Sequence, residues 1–354
     1  MPKDASTDVF VLALDSLQIP TDPRIRKVDQ NWPVENPFVR TIWERIYVRK
    51  LVQELKANVL FSPGGIVSAV LPLGCKCVTM FQNMIPFDSV QRRKYPLGYM
   101  RVRHWLLKRE MLRSMAKADL VICGSEFARQ VLENDAPNLS GKTIVIPNGV
   151  EPSFRSNRVS RPKWLPTKGY ILYVSFLGVY KAQLEVVRAY ALLKRRRPTS
   201  EKLILAGPEC SYYAQKVRDE IDRLNLRDDV LLIGSVPHDN LPFFYQNALI
   251  NIFASECENC PNILLEALAS GRPLLASNRP PMPELAGDGA IYFDPSSPQE
   301  LTDKLISIID DPVRLLELSV KARERSQLYD GARAARITWD VIGELAIRHT
   351  IDPN

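Results

Sequence analysis

Two carboxylates eight residues apart, Glu258 and Glu266 in Glu258-Asn-Cys-Pro-Asn-Ile-Leu-Leu-Glu266, bracket the start of an expected helix. Pro261 suits a first helical position and Gly271 a C-terminal stop, which predicts a helix over 261–270. Glu266 then falls in the second turn among Ile263, Leu264, Leu265, Ala267 and Leu268. A bare carboxylate is costly in such a setting, so something must hydrogen-bond it. Glu258 lies in the loop just ahead, beside the N–H groups of a helix start, where anions such as phosphate are favoured. Carboxylates for hydroxyls and amides for phosphates together suit a nucleotide-linked sugar.

Positioning these groups requires a scaffold, and the hydrophobic pattern supplies one. Apolar runs of strand length alternate with helix-period segments, the pattern of α/β folds with parallel sheets. Strands are expected at 9–14, 58–62, 75–81, 120–124 and 143–147 in the first half. In the second half they are expected at 170–175, 202–206, 230–234, 248–253, 273–277 and 290–293. Each half reads as its own sheet with helices on its faces. The polar, proline-containing stretch 156–169 suits a linker, which divides the chain into 1–160 and 161–334. Helices are expected at 312–327 and 331–349, and the C-terminal one, about 335–354, can pack back on the first domain with Trp339 as its anchor.

A chain of 354 residues, 45% of them hydrophobic, can bury two cores. No apolar run approaches the ~20 residues of a membrane span, and the start carries no signal-peptide pattern. A soluble, cytoplasmic protein is expected. Six cysteines are too sparse for a disulfide scaffold. Cys257 and Cys260 make an isolated C-x-x-C, with no second pair and no histidine at finger spacing. Two small side chains lining a loop are the plainer reading than a metal or redox centre.

The net charge of +7 is concentrated. Between residues 91 and 120 there are nine Lys or Arg against two acids. Met100, Leu107, Met111 and Met115 form one row of an amphipathic helix over 97–117, and Arg101, Trp105, Arg109, Arg113 and Lys117 form another. Such a stripe can rest on an anionic membrane surface, at the inner face, or simply be a solvated outer face. Nucleic acid is a weaker partner, because no binding motif accompanies the charge.

The E-x7-E of Glu258 and Glu266 continues as Ala267-Leu-Ala-Ser-Gly271-Arg-Pro, and Pro283-Glu284-Leu-Ala-Gly follows. Upstream stand Ile146-Pro-Asn-Gly149-Val and Tyr180-Lys181. Together these resemble the retaining family 4 glycosyltransferases of the GT-B fold, two Rossmann-like domains with parallel sheets facing a central cleft. The resemblance covers roughly 58–339. It implies transfer of a sugar from a nucleotide-diphosphate sugar to an acceptor hydroxyl, in polysaccharide, lipopolysaccharide or glycolipid biosynthesis, without a cofactor.

The resemblance also implies roles. Glu266 would accept hydrogen bonds from the ribose, and Glu258 would hold the donor sugar near its reacting carbon. Asn262, Ile263 and Leu264 would offer amides to the diphosphate, with Cys260 and Ser175 in the same donor site. Lys181 would neutralise the departing nucleoside diphosphate. Gly207, Gly234 and Val236, at the C-terminal ends of strands, would contact the base. Gln82 and Asn83 would lie on the acceptor or sugar side. No Asp-x-Asp occurs in the chain, so metal-independent chemistry is expected.

The sequence departs from the family pattern in three places. Residues 15–37 contain no glycine, so the family's opening strand and glycine-rich loop are expected to be missing. Ser175 stands where an arginine is usual, and Gln82 where a histidine is, and Gln82 cannot take up a proton. These departures keep two alternatives in view: a non-catalytic nucleotide-sugar-binding or partner module, and a sugar-nucleotide epimerase.

Overall fold

A computed structural model of the chain describes residues 7–13, 19–28, 37–156, 165, 169–198, 200–209 and 212–351. The linker and domain boundary expected near residue 160 fall largely on 157–164 and 166–168, outside the described residues. Much of the segment without glycine also lies outside them, at 14–18 and 29–36.

The described chain folds around two parallel sheets. The first holds β3 (Val59–Ser62), β4 (Lys76–Phe81), β5 (Leu120–Cys123) and β6 (Thr143–Val145) in sequential order. Its central strands β4 and β5 are buried on both faces, and period-two alternation divides their side chains between two cores. Cys77, Phe81, Val121 and Cys123 face Met111 and Met115 of the basic helix Tyr99–Lys117. Val78 and Ile122 face the helix Gly331–Ile351 on the other side. The last helix therefore covers the first sheet. Its buried anchor is Ile342; Trp339, expected in that role, is only partly buried.

The second sheet holds β7 (Tyr170–Val174), β8 (Lys202–Ala206), β9 (Val230–Leu232), β10 (Ile250–Phe253), β11 (Leu274–Ser277) and β12 (Ile291–Phe293), in the order β12-β11-β10-β7-β8-β9. Strand order reverses between β7 and β10. In open α/β sheets ligands settle outside the carboxyl ends of the strands at such a switch point. Helix starts here follow local rules: Ser297 and Asp311 each cap a helix that opens on proline, accepting from Glu300 and Arg314 N–H groups.

β1 (Val9–Val11) pairs in parallel with β2 (Ile25–Lys27), apart from the larger sheets. β2 escapes a sequence reading because it is three residues long and two of them are charged. Among the described residues, no helix is long and apolar enough to cross a membrane.

The chain crosses between the sheets at two adjacent places. Val150 donates to the Tyr329 carbonyl at 2.9 Å, and Gly331 donates to the Val150 carbonyl at 3.3 Å. The two passes touch so closely that a Cβ on Gly149 would lie 2.3 Å from the Gly331 Cα.

Candidate active site

The switch point is built by the loops that follow β7 and β10. After β7, residues 175–178 lead into the short 3-10 helix Val179–Lys181, and the Tyr173 hydroxyl donates to the Lys181 carbonyl at 2.7 Å. After β10 the chain runs through Glu256 to Pro261, and the Glu256 N–H donates to the Tyr180 carbonyl at 2.8 Å. These bonds bring Lys181 against Glu258, and the two form an ion pair. Lys181 is only 3% exposed. Its ammonium also lies 4.9 Å from the Tyr180 ring centroid, 5.3 Å from Phe176 and 5.7 Å from Phe253. A cation so desolvated is sustained by its carboxylate and by the ring quadrupoles.

The next helix runs Asn262–Ala269. Pro261, expected at its first position, instead precedes it with extended backbone (ψ 116°) and supplies a carbonyl to the first turn. Leu264 is fully buried, and its N–H donates to that carbonyl at 3.1 Å. Leu264 is thus not available as a phosphate donor. Among the described residues, the amides of Asn262 and Ile263 remain as the N–H groups of the helix start without an acceptor. The Asn262 side chain turns to the first sheet, where its Oδ1 accepts from Asn148 Nδ2 at 2.8 Å. Asn148 Nδ2 also donates to the Cys260 carbonyl at 2.9 Å.

Glu266 is 7% exposed and has the partners its setting demands. Tyr245 Oη donates to Oε2 at 3.2 Å, and His238 Nε2 lies 3.6 Å from Oε1. Burial pushes the Glu266 carboxyl up from its ordinary range, and His238 and Tyr245 pull it partly back. Neither partner stands out in sequence. The available signal for His238 was its place just past the end of a strand, in Gly234-Ser-Val-Pro-His238.

Gly207 donates to the Gly234 carbonyl at 2.8 Å, joining the ends of β8 and β9. A Cβ at Gly207 (φ +150°) would sit 2.1 Å from the Ser175 carbonyl oxygen, so only glycine lets these strand ends meet. Ser175 is buried there, and Val236 packs against the second core. Lys181, Glu258, Ser175, Gly207, Gly234 and Val236 thus cluster at strand ends of one sheet, with Glu266 on the helix beside them.

The two sheets meet at their carboxyl ends. Asn259 Nδ2 donates to the Phe81 carbonyl at 2.7 Å, and Ser125 Oγ donates to the Asn259 carbonyl at 2.7 Å. Glu284 accepts from the Glu126 and Phe127 N–H groups at 2.7 and 2.9 Å. Gln91 Nε2 donates to Glu256 at 2.8 Å, and Lys94 pairs with the same carboxylate. Between these contacts a cavity of about 320 Å³ opens beside Glu258. Phe87, Asp88 and Phe127 line one side of it, and Glu256, Glu258 and Arg279 the other. Gln82 and Asn83 are exposed and lie outside this lining, with Asn83 Oδ1 taken up by the Ile85 N–H at 3.3 Å.

The C-x-x-C cysteines are small buried side chains. Burial pushes the Cys260 thiol up to about 12, and Cys257 higher, with Asp88 reinforcing the shift. Along the basic helix, Arg101 turns back to donate to the Arg93 and Tyr95 carbonyls at 2.7 and 2.8 Å, leaving the expected stripe. Arg113 pairs with Glu110 at 2.8 Å, and Arg109 lies 5.7 Å over the Trp105 ring.

Comparison with known proteins agrees with this arrangement. The family described as Glycosyltransferase Family 4 matches residues 4–154, and that described as Glycosyl transferases group 1 matches 156–328. The O-antigen chain mannosyltransferase B of Escherichia coli is 26% identical over 147 residues, 42% of this chain and 38% of that protein. The alpha-monoglucosyldiacylglycerol synthase of Streptococcus pneumoniae is 26% identical over 212 residues, 54% of this chain and 47% of that protein. The chain thus spans less than half the length of these relatives. Among solved structures, sucrose-phosphate synthase from Thermosynechococcus elongatus superposes with a TM-score of 0.75 at 17% identity, covering 96% of this chain and 88% of the other. HepE of Anabaena, solved with UDP and glucose, superposes with a TM-score of 0.66 at 17% identity, covering 84% and 81%. With two family matches running end to end over 4–328 and a fold shared with these enzymes, the chain belongs to the family 4 glycosyltransferases of the GT-B fold.

Proposed function

We propose that this glycosyltransferase moves a sugar, with retention, from a nucleotide-diphosphate sugar to an acceptor hydroxyl, in the assembly of a polysaccharide, lipopolysaccharide or glycolipid. The observation that carries this reading is the Lys181–Glu258 pair at the switch point, next to the free helix amides of Asn262 and Ile263 and the partnered carboxylate of Glu266. The diphosphate takes the helix start and competes with Glu258 for Lys181. Glu258, released from its cation, turns to the sugar hydroxyls. As the glycosidic bond to the diphosphate breaks, negative charge grows on the leaving oxygen, and Lys181 stabilises it more in the transition state than before. This division of labour needs no chelated ion, in keeping with a sequence without Asp-x-Asp. Glu266 holds the ribose, and the rim of Gly207, Gly234 and Val236 borders the base. The acceptor enters through the cavity beside Glu258, along Phe87 and Phe127. UDP and glucose in HepE support the donor class, and the E. coli mannosyltransferase the polysaccharide setting.

Calorimetric titration of UDP, GDP, ADP and dTDP, and of their common sugars, against the protein and against Glu266→Ala tests the reading. One nucleotide should bind selectively and lose affinity in the variant. Binding by none, or binding indifferent to Glu266, overturns it.

A second reading concerns where the acceptor is met. Trp105 is 52% exposed, beside exposed Leu97, Tyr99, Val102 and Leu106 and the cations Arg103 and Arg109. An apolar edge flanked by arginines is the chemistry of an anionic lipid surface.

A further inference from the structure

We propose that His238 is a positioning residue for Glu266, holding that carboxylate ionised and aimed at the ribose of the donor nucleotide. The inference rests on the reading of Glu266 as the ribose-binding carboxylate.

The geometry is that of a held side chain in an otherwise open place. The His238 side chain is 52% exposed, yet two groups fix it. Its Nε2 lies 3.6 Å from Glu266 Oε1, and its ring meets Phe154 edge to face at 5.4 Å. Phe154 is buried in the short helix Pro152–Arg155, where the chain leaves the first sheet. Gln246 Nε2 anchors that turn by donating to the Phe154 carbonyl at 2.9 Å. The same ring lies 5.9 Å from Tyr245, the other partner of Glu266. Phe154 therefore braces both donors that face the carboxylate.

Each Glu266 oxygen thus meets a different group, Oε2 the hydroxyl of Tyr245 and Oε1 the imidazole of His238. Three titratable groups face Glu266: His238 from the 3-10 helix His238–Asn240, Tyr245 from the helix Leu241–Asn247, and Glu151 from the turn before Phe154. Burial and Glu151 favour a protonated Glu266, whereas His238 and Tyr245 favour the carboxylate. Only the ionised form presents acceptor-only oxygens to a ribose diol. Place matters as well: His238 sits two residues beyond Val236, between the rim at the ends of β8 and β9 and the helix that carries Glu266.

The test is calorimetric titration of UDP and of GDP against wild type, His238→Gln and Glu266→Ala between pH 5 and 8. Gln keeps a hydrogen-bond donor and removes the imidazole. In wild type, affinity falls toward acid as Glu266 protonates. In His238→Gln that acid limb should move upward by about half a pH unit or more, because a helper of the ionised form is gone, in addition to any loss of affinity at pH 8 from the lost aim. A merely structural role would lower affinity equally at every pH. An acid limb that overlays wild type, or a uniform loss with no change of shape, overturns the inference. The Glu266→Ala arm separates the two levels. If UDP or GDP binds and Glu266→Ala matters while His238→Gln does not, only the role of His238 falls. If neither binds, ADP and dTDP are titrated against the same three proteins in their place; if none of the four binds, or Glu266→Ala is neutral, the donor-site reading falls and takes this role with it.

Discussion

Lys181, buried, and Glu258, half-buried and 77 residues further along the chain, meet as an ion pair on two loops that leave adjacent strands of the second sheet. Removing one partner of such a pair strands the other charge away from water, at about 3–5 kcal/mol. Glu258→Ala should therefore lose stability as well as turnover, read by urea unfolding beside steady-state rates. UDP or GDP should raise the Tm of Glu258→Gln more than that of wild type, because the diphosphate becomes the main anion available to Lys181. Lys181→Ala should lose more in kcat than in donor affinity.

Glu266 is predicted to trade stability for binding. Burial raises its carboxyl pKa above the ordinary 4.5, so the folded state holds the proton more tightly than the unfolded state. Stability therefore declines as pH rises from about 4.5 through the raised value, and the deficit is complete above it. Glu266→Gln should accordingly raise Tm at pH 8 by about 1–3 °C, with the difference vanishing near pH 4, while nucleotide affinity falls. Thermal melts at both pH values check the sign.

Glu284 reaches from the second sheet's side to cap a helix of the first. With Ser125 Oγ on Ala128, it satisfies the N–H groups of Glu126, Phe127 and Ala128 at the start of Glu126–Asp135. Glu284→Ala should speed hydrogen exchange at 126–127 several-fold and leave the far end of that helix unchanged, as mass spectrometry would show.

Cys257 and Cys260 should resist alkylation. Their raised thiol pKa values leave almost no thiolate at pH 8, and both are buried. Iodoacetamide should leave them unmodified in the native protein and modify them after unfolding, by peptide mapping.

Partitioning onto anionic vesicles should drop on changing Arg109, Arg113 and Lys117 to Glu, and drop further with Trp105→Ala. Unchanged sedimentation with vesicles would leave the basic helix as a solvated face.

The second sheet was nearly fully legible because its strands are continuous apolar runs bounded by turn residues, as in Tyr170–Val174. The Lys181–Glu258 pair was legible through motif resemblance, but its burial was not: nothing local shows that Phe176, Tyr180 and Phe253 enclose Lys181. Misplacements share a cause, which is that side-chain commitment depends on tertiary neighbours. Leu264 gives its amide to Pro261, Arg101 turns to two carbonyls, and Gln82 stays on the surface. Asp88 and Arg279 reach the cavity only because two sheets meet there, a relation 191 residues long that no periodicity carries.

The paired crossings at Val150 and Gly331 place the second sheet between the first sheet and that sheet's own covering helix, entered and left through one doorway. Its two ends are already hydrogen-bonded to each other, so a graft of about residues 150–330 between relatives needs no new linker. The exchanged half would carry Lys181, Glu258 and Glu266 with it, while the first sheet keeps its own covering helix. Exchange of that half would leave the core under Ile342 untouched.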